Sequence, residues 1–361
     1  MTAPQDDHRG DEIDTALGER YYRNSREEEE RLTGEMIEVI RRFIDRRFAE
    51  GRRPAPRDAH AKDNGCVQAS FRIDDDLDPA LQQGVFVPGR EYRAWIRFSN
   101  GNSEINGSRY PDARGMAMKV ISVAGPKLLD DERNTQDFIM ADNPVFFIDD
   151  LQRYKDTLVE FHSGGRLRQL VSLRRLNSRE RGLVLGTFRW ITNPLFRQYW
   201  SMTAYRLGTD PARKMAIKYM AKPRLATGDK DFRWSTFFNP CFSLKREANK
   251  VLAKRGVEFD FYIQRYVDDR TPVEDSGTEW PEAVSRPEHV ARIIIPSQDL
   301  DAAGRGRFCE DLSFNPWHCL PEHKPLGAVN RARKRIYVEI SKQRHGLNGA
   351  PMIEPTGDDA A

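Results

Sequence analysis

Six stretches of the chain alternate apolar and polar side chains with a period of two, and no regular series of helices separates them. Val67, Ala69, Phe71 and Ile73 alternate with Gln68, Ser70 and Arg72, while Tyr92, Ala94, Ile96 and Phe98 share one face of residues 92–99. Residues 115–121, 137–140, 257–266 and 290–296 read the same way. Successive side chains of a strand point to opposite faces, so the pattern predicts strands with one face buried. Parallel strands need crossover connections, usually helical, which favours an antiparallel sheet here, and closure into a barrel removes its edges. The expected fold class is α+β, a closed antiparallel β-barrel that holds a ligand, with accessory helices. The 361 residues, 39% of them hydrophobic, suffice to bury such a core.

Residues 25–346 form the predicted domain. Residues 1–24 are polar and expected to be mobile, and residues 347–361 read as a disordered tail. Ser25 is placed as the N-cap of a first helix, with Glu27 and its acidic neighbours in the first turns and an apolar stripe from Met36 to Phe48 ended by Gly51. Residues 151–225 interrupt the strands with mostly helical periodicity and carry Arg166, Arg168, Arg174, Arg175, Arg179, Arg181, Arg189 and Arg197 among apolar side chains. Such an excursion is expected to pack on the barrel wall with a solvated outer face. It is also where the composition admits contact with a membrane surface or an acyl carboxylate. Pro325 suits the first turn of a last helix, and Gly346 its C-terminal cap.

The net charge of +3 is the small difference between 58 basic and 55 acidic side chains, which gives no global sign of nucleic-acid binding. Cys66, Cys241, Cys309 and Cys319 are scattered without a CxxC pair, which argues against a disulfide framework and a zinc ribbon. With no leader-like N-terminus and no apolar run approaching roughly 18 residues, a cytoplasmic protein is expected. No GxSxG, P-loop or strand-borne GxGxxG occurs, so acyl-hydrolase and phosphate-cradle readings lack support. His318, Cys319 and His323 complete no four-ligand metal set and are read as a packed loop.

Candidate chemistry begins on the last predicted helix. At about 100° per residue Arg333 and Tyr337 stand one turn apart, and Arg344 returns to within roughly 20° of Arg333. A nearby cation favours the ionised phenol, and a phenolate can hold ferric iron. The helix also reads as an amphipathic end whose Tyr packs while its Arg side chains snorkel, so alone it decides nothing. His60, at the mouth of the first strand, is the histidine that a barrel strand would point inward as a general acid or base.

Five motifs then occur in the order found in haem catalases, which the chain resembles over residues 54–346. They are Arg57-x-x-His60-Ala61, Arg97-Phe98-Ser99, Arg114-Gly115-Met116-Ala117-Met118-Lys119, Pro144-Val145-Phe146-Phe147-Ile148 and Arg333-x-x-x-Tyr337 continuing to Arg344. The chain is shorter than a standard catalase. Residues 200–208 and 217–219 resemble the short catalase-related branch, which includes small peroxidases and allene oxide synthases acting on fatty acid hydroperoxides. The resemblance implies haem b whose ferric iron is held by Tyr337 as tyrosinate, with Arg333 keeping the phenolate ionised. It implies His60 as the distal histidine, Ser99 as its hydrogen-bond partner, and Arg57, Arg97 and Arg344 as partners of the haem propionates.

The distal amide departs from the family pattern. Catalases place an Asn three residues before the proline of Pro-Val-Phe-Phe and the short branch two before; those positions are Ala141 and Asp142 here, which leaves Asn143 as the candidate. Tyr154 falls where catalases carry a Phe on the distal haem face. The implied function is a haem oxidoreductase of peroxides, working as a peroxidase with a small reductant or converting organic, fatty acyl hydroperoxides. The alternatives are a true catalase dismutating hydrogen peroxide and a non-catalytic haem or lipid-binding barrel.

Overall fold

Helix α1 (Arg26–Ala49) is the first α-helix of the computed structural model, which describes residues 10, 12–162, 176–357 and 359. The Ser25 hydroxyl caps it by accepting the Glu28 N–H at 3.1 Å, and Leu32, Met36, Ile40 and Ile44 form its buried stripe. Strands β1 (Asp63–Ile73), β2 (Glu91–Asn100), β3 (Arg114–Ile121) and β4 (Thr135–Ala141) follow as an antiparallel meander. Helices α2 (Leu151–His162) and α3 (Ser178–Thr187) come next, then strands β5 (Tyr199–Trp200), β6 (Tyr205–Leu207) and β7 (Met215–Pro223). Helices α4 (Trp234–Phe237) and α5 (Leu244–Leu252), strands β8 (Val257–Arg265) and β9 (Glu288–Ile295), and helices α6 (Arg305–Asp311) and α7 (Ala328–Asn348) complete the order.

The strands close. Their order is β4-β3-β2-β1-β9-β8-β7, and the two residues of β5 pair with β4 on one side and β7 on the other. Strand β6 continues along the same edge of β7, so β5 and β6 share one of eight positions in the ring. All six predicted strands are present, and the fold is the expected closed antiparallel barrel with accessory helices. Inward faces interdigitate in one core: Phe71 meets Phe261 edge-on at 5.1 Å, and Phe138 meets Tyr219 likewise at 5.1 Å. Fully burying a side chain of this size contributes roughly 1.5–3 kcal/mol.

Three expectations need correction. The excursion over residues 151–225 is helical only in part, because residues 199–223 supply β5, β6 and β7. Strand β7 is buried on both faces, with Lys218 and Met220 covered as well as Ile217, Tyr219 and Ala221, so it shows no alternation. Arg166, Arg168, Arg174 and Arg175 lie outside the described residues. Gly346 lies inside α7, whose cap is Gly349 at φ +59°, a left-handed conformation that glycine adopts without strain. The ends are also anchored. Glu19 is buried against Arg331 at 2.6 Å and Lys324 at 3.2 Å, and Glu354 accepts the Arg133 N–H at 2.8 Å. These bonds join residues hundreds of positions apart, which local composition does not reveal. No helix among the described residues is long and apolar enough to cross a membrane.

Helix α7 packs on α1 in a second apolar cluster, with Val329, Ala332, Ile336 and Ile340 against Met36 and Ile40. The remaining flank of α7 faces the barrel wall, and there the candidate site forms.

Candidate functional site

A cavity enclosing about 950 Å³ of atom-free space, part of it open to solvent, lies between α7 and the wall of β2, β3 and β4. Arg97 and Ser99 reach it from β2, Gly115 and Ala117 from β3, and Ile139 from β4. These positions alternate with Ile96, Phe98, Met118 and Phe138 of the barrel core. The cavity is therefore on the outer face of the barrel, a correction to the expected ligand-holding interior, which side chains fill. Period two tells which residues share a face, but not which face closes inward.

His60, Ser99, Arg57, Arg97, Arg333, Tyr337 and Arg344 all line this cavity. His60 sits in the loop before β1 rather than on a strand. Its φ of +58° is unfavourable for a residue with a Cβ, and two backbone bonds hold the turn: the His60 N–H to the Gly101 carbonyl at 3.1 Å and the Ala61 N–H to the Asn102 carbonyl at 3.2 Å. The imidazole Nδ1 lies 2.9 Å from Ser99 Oγ. With Nδ1 engaged, Nε2 is the nitrogen left to exchange a proton. Burial, then the positive charges of Arg97, Arg333 and Arg57, lower the His60 pKa to about 4, so the ring is neutral at pH 7 and can act as a base.

Sequence reasoning gave Gly115 no role of its own, although an isolated glycine inside a strand signals close approach. A Cβ there would stand 2.5 Å from His60 Nδ1 and 2.7 Å from Ser99 Oγ. The glycine makes room for the imidazole against the sheet.

On the α7 side, Arg333 Nη2 donates to the Tyr337 hydroxyl at 3.3 Å and Nη1 to Asn330 Oδ1 at 3.0 Å. Burial alone would lower the Arg333 pKa, but Tyr337 and Tyr205 outweigh it and the group is held above its usual value. Tyr154 also lines the cavity; burial, then Asp58 and Tyr337, push its phenol pKa upward.

Arg57, Arg97 and Arg344 bring three guanidiniums to one cavity. Arg57 Nη2 donates to the carbonyls of Glu310 and Leu312, both at 2.9 Å, and Arg344 Nη1 meets the Glu310 carboxylate at 2.5 Å. Arg97, 3% exposed, makes one long side-chain hydrogen bond among the described residues, to the Ala61 carbonyl at 3.4 Å. Among the described residues the buried Nε atoms of Arg57 and Arg97 have no hydrogen-bond partner. Burial, then repulsion from Arg344 and Arg97, holds Arg57 well below its usual pKa. Glu310 balances one of these three cations, and the unpaired donors of the other two fit an anionic ligand bearing carboxylates. Glu310 had no sequence signal; α6 alone brings it to Arg344.

Asn143 is not brought to the cavity. Its Nδ2 donates to the Val145 carbonyl at 2.7 Å, while Asp142 Oδ1 accepts the Arg114 N–H at 2.7 Å, so this turn spends its side chains on nearby backbone. His318, Cys319 and His323 do not form a joint site either. His318 meets Asp137 at 2.9 Å beside Lys119, whose ammonium already balances Asp137 and Glu132, and His323 Nε2 accepts the Val85 N–H at 3.0 Å.

No protein-family model matches the chain, and neither does any curated protein. Among solved structures it is similar to a fungal catalase, with a TM-score of 0.66 and 18% identity over 83% of this chain and 62% of that one. Catalase A from Saccharomyces cerevisiae gives 0.60 and 17% over 84% and 66%, and a bacterial catalase gives 0.62 and 16% over 83% and 60%. The protein has a catalase-like fold and spans 60–66% of the length of these three catalases.

Proposed function

We propose that the cavity binds haem b and that the protein is an oxidoreductase of peroxides, acting on organic and fatty acyl hydroperoxides in preference to dismutating hydrogen peroxide. The observation that carries the reading is the opening of two preformed pairs, His60 with Ser99 and Arg333 with Tyr337, into one cavity where the buried Nε atoms of Arg57 and Arg97 have no hydrogen-bond partner among the described residues. The residues fit the group. Tyr337 would hold the iron, and the Nε atoms of Arg57 and Arg97, with Arg344, would meet the propionates. When bound, haem supplies the redox chemistry that cleaves an O–O bond.

The chain's own residues handle the proton. Neutral His60 takes it from the inner peroxide oxygen at Nε2 and returns it to the outer one, while Ser99 fixes the ring through Nδ1. Such general acid–base work is worth about 10²–10⁴-fold. Arg333 donates to the Tyr337 hydroxyl and orients it toward the cavity. The preference against dismutation rests on Asn143, whose amide is engaged with Val145.

The haem-loaded protein should be mixed separately with linoleate hydroperoxide and with hydrogen peroxide. Reductant consumption or product rearrangement with the lipid substrate is expected. Oxygen release from hydrogen peroxide as the dominant reaction would move the assignment to a true catalase, and silence with both would leave a haem or lipid carrier.

A further inference from the structure

Trp190, Trp234 and Phe238 are 55%, 61% and 68% exposed, and they belong to one aromatic cluster. The Phe237 ring lies 6.3 Å from Trp190, 6.1 Å from Trp234 and 5.5 Å from Phe238, and Trp234 stacks on Phe238 at 5.5 Å. Single exposed apolar residues are ordinary, whereas a contiguous aromatic patch marks a contact surface.

The patch has a cationic rim. The Arg109 guanidinium stands 6.0 Å over Phe237 and donates to the carbonyls of Phe237 at 2.8 Å and Asn239 at 2.5 Å. Exposed Arg189, Arg233 and Arg246 donate to the carbonyls of Gly186, Gly228 and Cys241. Two acids of the same region are engaged elsewhere, Asp231 with Arg197 at 2.7 Å and Asp229 with Arg255 at 2.6 Å. Among the described residues none of these four arginines forms an ion pair, which leaves their guanidiniums available to an outside partner.

We propose that this patch docks on an anionic lipid surface, with the aromatic rings at headgroup level and the arginines against lipid phosphates and carboxylates. A two-fold contact with a second copy would set the same arginines face to face, so the charge pattern favours the lipid surface. The loop that carries Arg109 runs from Ser99 to Gly115 in the cavity wall, and its Gly101 carbonyl holds the His60 N–H. A docked membrane thus lies one loop from the site. That link to lipid-borne hydroperoxides as substrates rests on the function proposed above, whereas the docking itself does not.

The test needs neither cofactor nor peroxide, so its outcome is separate from that of the peroxide assay. The full chain is floated with vesicles of phosphatidylcholine alone and of phosphatidylcholine mixed with phosphatidylserine, with tryptophan fluorescence followed in parallel. Binding to the mixed vesicles only, with a blue shift and loss in high salt, is the expected result. Arg189→Gln and Arg233→Gln should each weaken it by about fivefold, and Trp234→Ser should remove most of the blue shift. No binding, equal binding to neutral vesicles, or unchanged binding in all three variants would overturn the proposal. So would self-association, seen by sedimentation and lost in Trp234→Ser, which would assign the patch to a second copy.

Discussion

Replacing Gly115 with Ala isolates the contribution of His60 placement. The backbone at Gly115 does not require glycine, because its φ lies outside the left-handed range, so the variant acts through one methyl group. That methyl would stand 2.5 Å from His60 Nδ1 and 2.7 Å from both its Cε1 and Ser99 Oγ, whereas ordinary contact begins at 3.4 Å. The imidazole must therefore retreat by about 0.9 Å or rotate, since Ser99 and the His60 turn close its other sides. Misplacing a catalytic group by about 1 Å costs on the order of 100-fold, and overpacking about 1–3 kcal/mol of stability. Gly115→Ala should thus keep haem but turn over linoleate hydroperoxide about 100-fold more slowly, with the loss in kcat rather than in haem content. Turnover within about threefold of wild type in a stably folded variant would refute the reasoning that His60 acts from this position.

Arg97→Met removes a buried cation with no carboxylate partner; the cofactor-free chain should melt at a higher temperature while haem affinity falls by about 10- to 100-fold, readable by titration with haemin. His60→Gln should leave haem bound and slow peroxide cleavage by about 10²–10⁴-fold. The same substitution tests a pH effect. Because burial holds the His60 pKa at about 4 in the folded chain, the unfolded chain takes up this proton first as the pH falls below about 6.5, so acid destabilises. Between pH 6.5 and 4.5, His60→Gln should lose roughly 2–3 kcal/mol less stability than wild type in urea melts; equal pH slopes would contradict the burial argument.

The strands legible in the sequence are those whose inward side chains recur at every second position, from Val67 and Tyr92 through to Val290. Those that escaped notice fall in a segment of mostly helical periodicity: β7 is covered on both sides, as β3 and β4 are, and β5 has two residues before Ser201. The site was legible because its residues sit in short fixed motifs, yet its location was not. Arg97 and Ser99 share a strand face whichever way the barrel closes, and only the packing of Phe98 and Met118 inside sets that face outside. Asn143 could not be placed because a one-residue difference in a turn depends on local hydrogen bonds, here the one to Val145. The aromatic patch around Phe237 joins Trp190 to Trp234 and Phe238, distant segments that neither periodicity nor motif connects.

The central claim is that Tyr337, hydrogen-bonded by Arg333, holds haem iron in this cavity. The absorption spectrum of the haem-loaded protein, compared between wild type and Tyr337→Phe, tests it most directly. The account predicts one haem per chain with the bands of a tyrosinate-bound ferric iron, lost in the variant. Unchanged haem content and an unchanged spectrum in Tyr337→Phe would contradict it.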